Sequence, residues 1–131
     1  MTADAAAAIP QRLVERFAQA YADFVGAVRA AVADAARNPA TGGSPAVLSW
    51  QTRALPLLER QNAEIQTAMA RYLIGETQTI VTLASGRRGL AKELDGLPLD
   101  IAGPDRAKAL DALETAVVVA AYHICQAAGI P

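Results

Sequence analysis

Few side chains in this sequence have the chemistry for catalysis or ligation, and their spacing argues against most of it. His123 is the single histidine and Cys125 the single cysteine. Two residues apart on a helix, they leave different faces and cannot work as base and nucleophile. Zinc would have to recruit Cys125 and carboxylates across the same divergence. A di-iron bundle needs two Glu-x-x-His pairs, and the sequence has none. One metal route remains, in which several subunits each contribute His123. The expectation is a partly buried imidazole at His123 and a small buried apolar side chain at Cys125, with no metal and no cofactor.

Glu76 and Asn62 are the next candidates, because they interrupt an apolar row. A carboxylate on such a row must be paired or its pKa rises. Two readings stand side by side. Glu76 and Asn62 fix helix register, or the chain is a small-molecule-binding protein or enzyme in which Glu76 lies in an interhelical pocket with Tyr72, Tyr122 and His123 near it. No second acid is placed to complete a catalytic pair, so an enzyme is not the expectation. Gly86-Arg87-Arg88-Gly89 sets two guanidinium groups between glycines. That could grip an anion or a protein partner. It matches neither the phosphate-loop pattern nor the dinucleotide fingerprint, and a solvated turn is its bland alternative.

The elements that must position these residues are three long helical stretches, residues 10–37, 56–85 and 104–128, each opening on a proline. At 1.5 Å per residue they are about 42, 45 and 37 Å long. In the first, Leu13, Phe17, Ala20, Phe24, Ala27 and Ala31 recur in fours and threes. Val14, Tyr21, Val28 and Ala35 run beside them. Asn38-Pro39 stops the helix and Thr41-Gly-Gly-Ser44 turns the chain. Ser44-Pro45 then caps a short helix near 46–54 anchored by Trp50, and Pro56 kinks it or starts the next.

The second row reads Leu58, Asn62, Ile65, Met69, Tyr72, Glu76, Ile80 and Leu83. Gly75 marks a local bend within it, and Gly86 is the expected left-handed cap. Another short helix is expected near 88–95, and Leu97, Leu99 and Ile101 should lie against the bundle. The last helix carries Leu110, Leu113, Val117, Ala120 and Ile124, widened by Val118, Val119 and Ala121 until it is apolar almost all round. Such a helix is central in its bundle or meets a second subunit, which makes Val117, Val118, Val119, Ala121 and Ile124 a candidate interface.

These features specify an all-α fold: an antiparallel bundle of three long helices, residues 9–131 as one domain behind a flexible tail at 1–8. A break near Gly75 would make four helices instead. Thirty-one of 131 residues are alanine, so the core should be thin and closely packed. Net charge is −1, which gives no electrostatic pull toward nucleic acid. No stretch reads as a transmembrane segment or a signal peptide, and one cysteine fits a reducing compartment, so a cytoplasmic protein is expected.

Within residues 38–83, about a third of the chain, the sequence resembles phasins, the helical proteins that coat polyester storage granules. The residues that carry the resemblance are Asn38-Pro39, Gln51, Pro56 with Glu59-Arg60, Arg71-Tyr72 and Glu76-Thr77-Gln78. The spacing from Pro56 to Glu76 and the well-formed final helix depart from that family's pattern. The resemblance implies a non-catalytic, oligomer-forming protein that adheres to an apolar surface. From the residues themselves, the leading expectation is a self-associating scaffold or accessory subunit that acts as a homo-oligomer or with a protein partner.

Overall fold

Proline and glycine divide the chain into its helices. The computed structural model describes residues 9–90 and 104–130, and every regular element among them is helical. Helix α1 spans Gln11–Arg37 behind Pro10, an extended residue at its N-cap. It ends at Asn38, whose ψ of 121° is the extended backbone that a following proline imposes. The turn then satisfies the loose carbonyls of α1. Thr41 donates its hydroxyl to Ala35 O at 2.7 Å, and Gly42 N–H donates to Asn38 O at 2.7 Å.

Helix α2, Pro45–Ser49, starts as expected, with Ser44 Oγ accepting from Val47 N–H at 3.2 Å. Helical backbone then continues without interruption into α3, Leu55–Leu73. The join is a wide turn, Trp50–Ala54, in which Leu55 N–H reaches back five residues to Trp50 O. Pro56 explains that widening. Its ring would strike the carbonyl of residue 52 in a regular α-helix, and a turn of larger bore relieves the clash. Pro56 thus falls in the first turn of α3, directly after the wide turn. Trp50 is buried to 1% exposure, the anchor expected of it.

The single rod expected over 56–85 is not continuous. Helix α3 stops at Leu73, and α4, Gln78–Arg87, begins four residues after Ile74. Gly75 at φ +99° lies between them. Glu76 N–H bonds Arg71 O at 2.9 Å, and Gly75 N–H bonds Tyr72 O at 3.0 Å. This is the double-bonded left-handed cap that glycine permits at low cost. Among the described residues the long rod is thus broken at Gly75, the break that the four-helix alternative placed there. Gly86 is not the cap expected: α4 runs through it, and the left-handed glycines among the described residues are Gly75 and Gly129. Helix α5, Pro104–Ala127, does end at a Gly129 cap. The tail at 1–8, most of the helix expected near 88–95, and Leu97, Leu99 and Ile101 fall outside the described residues.

Substituting Gly75 tests the break. A Cβ there meets nothing within 4 Å, so only the backbone objects. Gly75→Ala is expected to lower unfolding free energy by about 1–2 kcal/mol, with Gly75→Asn costing less. Urea denaturation of the three proteins provides the check.

Four cross-links set α1, with Ile9 just ahead of it, against α3. Arg29 pairs with Glu59, Tyr21 with Gln61, Gln66 with Ala18 O, and Tyr72 with Ile9 O. Residue numbers fall along α1 as they rise along α3, so the two helices are antiparallel. Helix α5 packs most extensively on α1 and also covers α4, whereas α3 meets α1 and α4 and scarcely touches α5. Two neighbours on α1 explain why its buried arc is broader than one row: Ala18, Val25 and Val32 join Val14, Phe17, Tyr21, Phe24 and Val28 in the core, while Leu13, Ala20 and Ala27 sit at its margin. Helix α3 is the sparsely covered member, with only Leu58, Ile65 and Ala68 fully buried.

Candidate functional site

The polar residues with reach and charge are organised by the junction of α1, α3 and α4. Gln61 Oε1 accepts from Tyr21 OH at 2.6 Å and from Arg87 Nη1 at 2.5 Å. One amide oxygen thereby ties three helices together. Arg87 is half-buried, so the solvated turn and the free anion grip expected of Arg87 and Arg88 both give way to a structural role for Arg87. Arg88 is also half-buried, and its charge is felt at Cys125 on α5. The last turn of α4 folds its arginines back on the bundle because α4 continues past Gly86.

Cys125 is fully buried, as expected. Burial pushes its thiol pKa up, against smaller downward pulls from Arg88 and a hydrogen bond with Ser85. That is the setting of an inert thiol.

The acid in the core is not Glu76. Glu76 is exposed in the α3–α4 connection, 3.9 Å from Arg71. The break at Gly75 lifts it off the apolar row that it appeared to continue. Among the described residues Glu114 is the buried carboxylate, at 7% exposure on the Leu110, Val117, Ala121, Ile124 side of α5. Its position four after Leu110 and three before Val117 was the available signal. Burial, and then the negative Asp111, hold its carboxyl above the ordinary 4.5. The folded state therefore keeps this proton more firmly than the unfolded chain. Its contribution to stability is full below pH 4.5 and is lost as pH rises through the raised folded value. Glu114→Gln is expected to raise the Tm at pH 7, with the gain fading in acid; thermal melts across pH measure it, and a pH-independent difference would contradict it.

Tyr122 and His123 are exposed, their rings 5.9 Å apart edge to face, and Tyr122 accepts a hydrogen bond from Gln126 at 2.8 Å. Asn62 is half-buried and accepts from Gln66 at 3.0 Å. Tyr72 donates to the Ile9 carbonyl. The pocket expected around Glu76 is thus not assembled: Tyr72 is turned to α1, while Glu76, Tyr122 and His123 face solvent. Among the described residues, no group of three His, Cys, Asp or Glu side chains is placed to hold a metal ion.

The interface expected on α5 is corrected in the same way. Val117, Ala121 and Ile124 are fully buried within the chain, and Val118 is half-buried. Only Val119 and Tyr122 of this helix are exposed large apolar residues. Flanked by α1 and α4, α5 uses its apolar excess internally. Among the described residues, the other exposed large apolar side chains concentrate elsewhere. Leu48, Leu57, Leu73 and Ile74 all lie in the α2–α3 run and its end, at 59, 46, 54 and 79% exposure, and α1 contributes none.

Two open clefts border α3. The larger, about 390 Å³, lies between α3 and α4, with Arg60, Glu64, Thr67 and Arg71 along one wall, Thr79 and Leu83 along the other, and Ala68 beneath. The smaller, about 300 Å³, includes Gln11, Tyr72, Leu73 and Thr77. No protein-family model, curated protein or solved structure matches this chain. No described helix is long and apolar enough to cross a membrane.

Proposed function

We propose that this is a non-catalytic helical-bundle protein that works by self-association, as a cytoplasmic scaffold or accessory subunit, with exposed parts of the α2–α3 run as its contact surface. The observation that carries this reading is the concentration of exposed Leu48, Leu57, Leu73 and Ile74 on the helix that the bundle covers least. Scattered apolar side chains are normal on a surface; four on one helical run, with none on α1, form a biased distribution. The polar chemistry supports the same reading, because Tyr21, Gln61 and Arg87 are engaged in joining helices. Sedimentation equilibrium at micromolar concentration tests it. A species heavier than one chain is expected, and a monomer throughout would refute it.

A second reading follows from the same residues. They fall in or beside the span that resembles phasins, and a phasin-like protein would lay this surface on an apolar granule. Flotation with polyester particles separates the two. Recovery with the particles, reduced by Ile74→Glu and Leu57→Glu, supports adhesion; the absence of any protein in the floating fraction removes it.

A further inference from the structure

The exposed flank of α3 carries charges in an order that complements itself. Arg60, Glu64 and Arg71 follow one another along it, and Glu76 stands just past its end, all exposed. Their signs read plus, minus, plus, minus. Turned end over end, the same series reads minus, plus, minus, plus. The midpoint between Glu64 and Arg71, both within α3, falls beside Thr67 and Ala68. One antiparallel register about that point therefore pairs Glu64 with Arg71 in both directions and brings Arg60 toward the end of α3 that Glu76 follows.

Within the chain these charges are little used. Among the described residues neither Arg60 nor Glu64 forms an ion pair, and Arg71 meets Glu76 only at 3.9 Å. The same flank walls the 390 Å³ cleft between α3 and α4, a furrow with room for a helix ridge. Its opposite wall is uncharged, since α4 has no ionisable residue before Arg87.

We propose that a second copy of this chain docks there, α3 against α3 in antiparallel register about Thr67. Glu64 faces Arg71 of the second copy and Arg71 faces its Glu64, while Arg60 comes toward the end of α3 that Glu76 follows. A two-fold contact of this kind is isologous, each pair occurring twice. Ile74 comes within about one helical turn of Leu57 of the second copy, which covers two of the exposed apolar side chains. The occupant is a second copy because the sign order matches its own reverse. A partner of single sign, acidic or basic, would meet two like charges on this flank. This inference rests on the self-association proposed above and adds its face and register.

Charge exchange tests it, with dimer dissociation constants from sedimentation equilibrium and circular dichroism as a check on folding. Glu64→Arg and Arg71→Glu each turn two attractive contacts into repulsive ones, and each is expected to weaken the dimer about tenfold or more at low salt. The combined variant Glu64→Arg/Arg71→Glu restores the pairs with signs exchanged and is expected within about threefold of the unaltered chain. Thr67→Cys at the two-fold is expected to give a disulfide-linked dimer on mild oxidation, Cys125 being buried. If the unaltered chain dimerises but neither single variant weakens it, this face is wrong and self-association stands. Weakened single variants without rescue overturn the register. A chain monomeric at every concentration removes the broader reading and this one together.

Discussion

Trp50→Ala is expected to lower the free energy of unfolding by about 3–5 kcal/mol, the largest effect of any single substitution considered for this chain. Trp50 is exposed by only 1% and sits in the wide turn that joins α2 to α3. Alanine supplies little area elsewhere in this core, so few neighbours are large enough to collapse into the space. Domains of this size are stable by about 5–15 kcal/mol, so the loss would be about a fifth of the total or more. Trp50→Phe keeps most of the volume and should cost far less. Urea denaturation followed by far-ultraviolet circular dichroism gives the comparison, and a cost under about 1 kcal/mol for the alanine variant would show that Trp50 does not anchor this turn.

The second large effect is expected at Gln61. Gln61→Leu removes the oxygen that receives both Tyr21 OH and Arg87 Nη1, so two donors on two other helices lose that acceptor together. A cost of about 2–3 kcal/mol follows, because one of the donors is charged and half-buried. Tyr21→Phe deletes a donor instead and leaves the oxygen with Arg87, so it should cost about 1 kcal/mol. The order of the two is the informative result, since contact area alone would make the phenol the more expensive loss. A double-mutant cycle between the positions should show clear coupling.

Local chemistry explains which features were legible in the sequence. The stop at Asn38-Pro39, the cap at Ser44-Pro45 and the anchor at Trp50 are decided by a few adjacent residues, and each appears as expected. Helix content follows from periodicity in the same way. Gly75 was harder, because Glu76 and Ile80 continue the spacing of the row before it and disguise a break as a bend. Gly86 misled in the opposite direction. The interactions of Arg87 and Arg88 with Gln61 and Cys125 come from other helices, and no local pattern announces them.

The same limit governs the site residues. Whether Glu76 or Glu114 is the buried acid depends on the phase of each helix against its neighbours. That α5 is flanked by α1 and α4 decides that Val117, Ala121 and Ile124 are core residues, and periodicity cannot supply the flanking. Conversely, the exposed side of α3 is set by which few of its residues its neighbours bury, Leu58, Ile65 and Ala68.

A mixing experiment tests the proposed assembly most directly. Glu64→Arg and Arg71→Glu proteins, each purified alone, repel their own kind across the two-fold but complement each other at both central pairs. Sedimentation equilibrium of an equimolar mixture should reveal a species of twice the 13.6 kDa chain mass, at concentrations where either variant alone remains single. A mixture that sediments only as 13.6 kDa chains would contradict the assembly proposed here.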